Sequence, residues 1–349
     1  MEIPKIAEMT TISLLPSLFG GVGLGLLSVA RVQTQNKLMN SATPMFWTTC
    51  GTVLSAGMLS VALSYLRATS YDDLDLPLPT VLLAAVSLAV GAKLGKGCTF
   101  GNGIQGLGCG SLASLVHVVT FMATGIVTAT TLKLGSNIPD NKGPPMSDNE
   151  VRSDEERKTA GAKAGAKRQQ HIADHRSPTT FCSSQLLSNS LPLALAVAGG
   201  VLGQYLSFLP RQARDLLAGL TFSASLLLAG MGSPNNITAF LDIYTPGGWD
   251  PTVCIVMGGA LAVTFPAYSL LRIAKGNKVI SEWASRPVTK EVVGGGCLFG
   301  LAWGLCGLCP GPAYVAAGFG NPLYATIMLG TRIIMDAISG NAGNSKKAS

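Results

Sequence analysis

Nine stretches of this chain are apolar, and long or nearly long enough to cross the roughly 30 Å hydrocarbon core of a bilayer. They fall into two blocks. The first holds residues 11–30, 44–66, 79–97 and 111–134; the second holds 188–209, 213–231, 250–273, 290–308 and 311–335. Charge is scarce and unevenly placed. Only 12% of residues are charged, against about 25% in a typical soluble domain. Residues 135–185 carry 15 of the 43 charged side chains, which leaves the two blocks almost uncharged. With 48% hydrophobic residues and a mean hydropathy of +0.39, too little polar surface remains to cover a soluble protein of this size. The expected fold is all-α and integral to the membrane. It has about nine transmembrane helices plus short re-entrant helices and makes several passes through the cell membrane.

Several function classes drop out on the same evidence. The net charge of +7 comes from basic residues that are scattered or mixed with acids, without the basic–aromatic stripe of a nucleic-acid binder. The start carries Lys5 and two glutamates ahead of an over-long apolar run, so no cleavable signal peptide is expected. Eight cysteines in mostly apolar, glycine-rich surroundings read as reduced thiols rather than a disulfide scaffold. No Walker-type loop, haem motif or dinucleotide fingerprint is present, and no cofactor or metal is expected. The chain reads as a non-enzyme.

The organisation follows from the charge pattern and from an internal repeat. Residues 1–134 form a first membrane repeat, 135–185 a polar flexible linker with His171 and His175, 186–212 an odd connecting helix, 213–340 a second repeat, and 341–349 a tail. Gly97-Cys98-Thr99-Phe100-Gly101 resembles Gly296-Cys297-Leu298-Phe299-Gly300. Each is followed by a Gly-Leu pair (Gly106-Leu107, Gly307-Leu308) and then a cysteine, Cys109 or Cys309. Four spans plus one odd span turn the second set upside down relative to the first. That is an inverted-repeat, pseudo-two-fold architecture, and such repeats build a site near the midplane where broken helices meet. Leaving out the insert, three Lys and Arg lie on one side and 14 on the other, which favours an external N-terminus and a cytoplasmic C-terminus.

Chemistry concentrates at two breaks. The first, Gly91 to Gly106, contains Cys98, Thr99, Asn102 and Gln105 and leads into a helix at Ser111. A glycine loop there lets backbone approach a ligand, and the exposed N–H groups at the helix start favour an anion. The second reads Gly304-Leu305-Cys306-Gly307-Leu308-Cys309-Pro310-Gly311-Pro312, in which Pro312 can open the next helix. The bland alternatives are close helix packing by small residues and cysteine as a small buried hydrophobe. Against both stands the coincidence of cysteine, glycine and helix break in each block. Cys50, Cys182 and Cys254 lack that context, and His117 reads as a packed core residue. Cys306-x-x-Cys309 could also serve as a dithiol redox motif or, with further ligands, a metal site.

At these residues the sequence resembles the YeeE/YedE sulfur-transport family. The segment from Gly97-Cys98-Thr99 through Gly103, Gly106-Leu107 and Ser111-Leu112-Ala113-Ser114-Leu115 is similar to the family's glycine–cysteine–threonine signature. In the second block, Gly230-Met231-Gly232-Ser233-Pro234, Phe240-Leu241-Asp242-Ile243, Trp249-Asp250-Pro251, Met257-Gly258-Gly259-Ala260, Phe299-Gly300, Trp303-Gly304-Leu305 and Cys309-Pro310-Gly311-Pro312 resemble a companion half-length form. The chain thus looks like both halves fused through the insert. The resemblance implies uptake of thiosulfate or a related sulfur anion along an hourglass path lined by central cysteines, here Cys98 and Cys309. A cytoplasmic sulfur-accepting protein is an expected partner. The family's further cysteine, in the first helix break, has no counterpart between Val32 and Thr43; Cys306, Cys109 or a polar side chain are the candidates to replace it. Thr99, Asn102 and Gln105 are expected to shape the path.

Thiosulfate has a soft terminal sulfur and hard oxygens. Neutral thiols are weak donors matched to the sulfur, and helix ends can face the charge without a deep trap. Cys98 and Cys309 are therefore expected to act as protonated thiols. The alternative is a membrane thiol protein that moves sulfur or electrons through Cys306 and Cys309. Asp242, Asp250 and Asp336 are the candidates for proton coupling.

Overall fold

The computed structural model describes residues 4–35, 50–58, 77–136, 183–231, 234–243, 249–276, 281–307 and 309–345. Residues 137–182 of the expected linker 135–185 and most of the expected stretch 44–66 lie outside these residues, as does the Val32–Thr43 break beyond residue 35; the linker's two ends, 135–136 and 183–185, belong to helices. All regular structure among the described residues is helical. In chain order it comprises α1 (Pro4–Gln35), α2 (50–58), α3 (Leu78–Leu94), a π-helical segment (Thr99–Gly106), α4 (Leu112–Ser136), α5 (Ser183–Tyr205) and α6 (Arg211–Leu228). There follow α7 (Pro234–Leu241), α8 (Thr252–Lys275), the single turn α9 (Ser281–Ala284), α10 (Lys290–Cys306), α11 (Pro310–Gly318) and α12 (Leu323–Ser345).

Three of these are long and apolar enough to cross a membrane: α3 continued through the π segment (Leu78–Gly106), α4 over Leu112–Leu132, and α8. A fourth span results if α10 and α11 are taken together across their 41° bend. Two more apolar stretches, Leu15–Arg31 and Leu193–Tyr205, are shorter. On α4 the outward side chains Leu112, Leu115, Val119 and Val127 form an exposed apolar stripe, the surface such a helix presents to lipid. Threonine hydroxyls inside α4 are satisfied locally. The hydroxyls of Thr120, Thr124 and Thr128 donate to the carbonyls four residues earlier at 2.7–2.9 Å, which removes their need for water.

Glycines set the packing. α10 lies between α3 and α4, its glycines at the contacts pressed against backbone and the threonines of α4. A Cβ at Gly295 would fall 2.5 Å from the Gly95 amide, and one at Gly300 would fall 2.3 Å from the Phe121 carbonyl. α1 packs in the same way on α6 through Gly20 and Gly23, and on α8 through Gly21 and Gly25. Most glycines in these helices therefore do what small residues do at membrane helix interfaces, letting backbones touch. An aromatic layer of His117, Phe121, Phe299 and Trp303 fills the space beside the α4–α10 seam, with ring centroids 5.1–6.1 Å apart.

Both expected breaks are present. α3 stops at Leu94, and α10 stops at Cys306, where Gly307 takes a left-handed φ of 65° that an L side chain resists. The stretch expected at 311–335 is divided: α11 ends at Gly318, Gly320 has φ 97°, and Pro322 precedes α12. A proline cannot continue a helix, so the chain restarts there.

Candidate thiol and helix-break site

The first break is not the open glycine loop that its composition suggests. Residues 99–106 coil into a π-helix, and the Asn102 amide donates to the Cys98 carbonyl at 2.8 Å. The expected row of free amides is therefore partly spent within the segment. The start of α4 is capped as well: Ser111 Oγ accepts from the Ser114 amide at 3.3 Å. Wide π turns place residues where an α-helix would not, and they recur at functional sites.

Asn102 is fully buried and acts as the staple of this segment. Its amide nitrogen donates to the carbonyls of Gly97 at 2.9 Å and Gly95 at 3.2 Å. Its oxygen accepts from Ser114 Oγ at 3.1 Å and from Arg286 at 3.4 Å. Arg286 also donates to the Gly95 carbonyl at 2.8 Å and stacks over Trp283 at 4.6 Å. Asn102 thus has a positioning role, all of its hydrogen-bonding capacity being taken up by the protein. Gln105 is buried, and its amide nitrogen has no partner.

The two breaks meet. Thr99, the first residue of the π segment, places Oγ1 3.2 Å from Cys309 Sγ, with 210 residues between them in the chain. Phe100 packs edge-on against Phe222 of α6 at 5.3 Å, and the same Phe222 ring covers Gly311. Cys98 caps the π segment, Cys309 caps α11, and the two sulfurs lie within electrostatic range of one another. Cys306 joins the cluster: its S–H donates to the Ala302 carbonyl at 3.1 Å, and its sulfur lies 3.3 Å from the Tyr324 hydroxyl, which can donate to it. Of the expected site residues, Cys98, Thr99, Cys306 and Cys309 are therefore together. Cys109 is elsewhere, packed with Val29, Tyr268, Leu271 and Trp283, and Cys254 and Cys297 are exposed.

Three residues here were not among the expected site residues. Trp303 is buried beside the Cys309 sulfur, and its indole N–H is directed toward that sulfur. Tyr324 brings a hydroxyl from α12. The charge of Arg332, also on α12, exerts a small electrostatic influence on Cys98. An aromatic or lone arginine in an apolar helix looks like ordinary core or helix-end chemistry until the helices are packed. The N-terminus of α11 offers less than its dipole suggests: Pro310 and Pro312 have no N–H, and the Ala313 amide donates to the Cys309 carbonyl at 3.0 Å. Gly311 carries the remaining early amide. The set comprises soft thiols with isolated O–H and N–H donors, which can accept an anion without holding it tightly. Among the described residues no three His, Cys, Asp or Glu side chains are arranged to hold a metal.

Residues 213–347 match the family described as a family of unknown function, DUF6691. The match begins where the second repeat is expected to begin. A protein of Xylella fastidiosa strain Temecula1, named a probable transporter, is 38% identical over 130 residues, which cover 35% of this chain and 86% of that protein. The probable transporter of strain 9a5c is also 38% identical over 130 residues, covering 35% of this chain and 88% of its own length. No solved structure matches the chain significantly. With more than two thirds of each relative covered at this identity, the chain belongs to the same family as these two Xylella proteins.

Proposed function

We propose that the protein is a multi-pass permease of the cell membrane for thiosulfate or a related sulfur-containing anion. The observation that carries this reading is the Thr99–Cys309 contact of 3.2 Å, which joins the cysteine-bearing breaks of the two blocks. The names of the relatives support transport in general. The resemblance to the YeeE/YedE family supplies the sulfur anion. Cys98 and Cys309 contact the anion's soft sulfur as neutral thiols, with Thr99 between them and Cys306 in place of the missing third cysteine. The Trp303 N–H supports the Cys309 sulfur, and Gln105 contributes its unpartnered amide to the oxygens.

The architecture proposed with it is about nine spans in two inverted repeats, 1–134 and 213–340, turned over by the odd span near 188–209. Elements matched by the repeat pack on each other, α1 on α6 and α3 on α10, which supports a pseudo-two-fold axis between them. The linker 135–185 joins the repeats, and a cytoplasmic sulfur-accepting protein takes the product of uptake.

The test is uptake of labelled thiosulfate by cells that lack their own route and depend on it for sulfur. Cys98→Ala and Cys309→Ala are each expected to lower uptake at least tenfold with the protein still in the membrane. Wild-type rates in both would overturn the thiol path. A second reading, a membrane thiol protein moving sulfur or electrons, is favoured by the presence of Cys306 and Cys309 in one cluster on either side of Gly307. Trapping a Cys306–Cys309 disulfide during turnover, with function abolished by Cys306→Ser alone, would establish it instead.

A further inference from the structure

A buried charge pair lies away from the thiols. Arg31, near the end of α1, is completely buried, and its Nη1 donates to Asp215 of α6 and approaches Gln204 Oε1 of α5 at 3.5 Å. Gln204 is held in turn, its amide donating to the Arg214 carbonyl at 2.9 Å and the Gly200 carbonyl at 3.3 Å. The other edge of the guanidinium is unpaired: Nε and Nη2 are both buried and both without a partner. A buried donor left unmade costs about 1–3 kcal/mol, more when charged. Nε and Nη2 are the two parallel N–H groups with which arginine grips a planar pair of oxygens.

We propose that this unpaired edge is a second anion station. It takes a small oxyanion through two of its oxygens: sulfate, a sulfonate, or the oxygen side of thiosulfate. Asp215 on the opposite edge cancels the charge of Arg31, so the station grips by geometry and releases again, where an unpaired buried cation would trap the ion.

Its place along α6 links it to the thiols. Asp215 and Phe222 are seven residues apart, so they lie on nearly the same face of the helix and roughly 10 Å apart along its axis. Phe222 is the ring that covers Phe100 and Gly311 at the two breaks. One turn beyond Phe222 in the α1–α6 seam, Ser225 Oγ faces Gly23 and is another buried polar atom with no partner. As part of a transport path this station rests on the permease reading. The binding chemistry itself does not, because the edge recognises oxygens and is indifferent to a thiol-seeking sulfur.

Sulfate is therefore the probe, measured as labelled-sulfate binding to the purified full-length protein in detergent. Alongside it, thiosulfate uptake by the wild type is followed in cells. Arg31→Lys keeps the charge and loses the paired edge. The double variant Arg31→Met with Asp215→Leu removes both charges, a replacement that buried ion pairs often tolerate without loss of stability. Wild type is expected to bind sulfate saturably. Whichever of the two variants runs as a monodisperse peak on gel filtration is expected to bind it at least tenfold more weakly. The station is overturned if wild type binds no sulfate, or if either folded variant binds it as wild type does. Sulfate binding that depends on Arg31 in a protein that moves no thiosulfate would keep the station and sink the permease reading. Thiosulfate uptake by a protein that binds no sulfate would do the reverse.

Discussion

At the scale of single residues, the first break shows how much one buried amide can organise. Asn102 uses both ends of its side chain on four partners drawn from the loop after α3, from α4 and from the segment after α9. Removing it leaves the carbonyls of Gly95 and Gly97 to fewer donors in a site with little water. Asn102→Ala is expected to lower unfolding stability by about 2–4 kcal/mol, measured by thermal unfolding in detergent; an unchanged midpoint would refute its role as a staple. Arg286→Ala should have a milder effect, because the arginine is half-exposed and the Asn102 contact it makes is long at 3.4 Å. Sequence placed Asn102 in the right segment, since a polar side chain among glycines invites attention. Whether it serves the ligand or the loop depended on where Gly95 and Ser114 came to lie.

At the scale of elements, the glycines of α10 separate two roles that look alike in the sequence. Gly300 is pressed against α4, and a Cβ would meet the Phe121 carbonyl at 2.3 Å. Gly300→Ala is expected to destabilise by about 1–3 kcal/mol through overpacking. Gly294 sits in the same helix with nothing within 4 Å of the added atom. Gly294→Ala is expected to be neutral or stabilising by up to about 1 kcal/mol, since alanine is the better helix former. Parallel melting curves of the two variants would check the contrast, and equal shifts would count against the α4–α10 seam. The breaks themselves were legible from the chain, because Gly307 and Pro310 stop a helix whatever surrounds them. The π-helical form of residues 99–106 was not. It depends on Asn102 being held from three sides, which no local propensity encodes.

For the whole molecule, the prediction concerns topology. An odd number of spans puts the ends of the chain on opposite sides of the membrane, and the distribution of Lys and Arg favours a cytoplasmic C-terminus. Tags fused to each end of the chain are expected to differ in protease accessibility in intact cells, the N-terminal tag being cut and the C-terminal tag protected. Equal protection of both would contradict the nine-span, inverted arrangement.

The sequence by itself determined the helical class, the apolar helices and the position of both breaks. These follow from local quantities: hydropathy along the chain, glycine and proline at a stop, and a shortage of charge. Only the tertiary structure decided which cysteines meet. Cys98, Cys306 and Cys309 gather while Cys109, equally rich in glycine neighbours, packs in another cluster. It also brought in Trp303, Tyr324 and Arg332, and it paired Arg31 with Asp215 across 184 residues. Such contacts are set by how glycine faces let helices approach, a property of pairs of helices that is invisible in either helix alone.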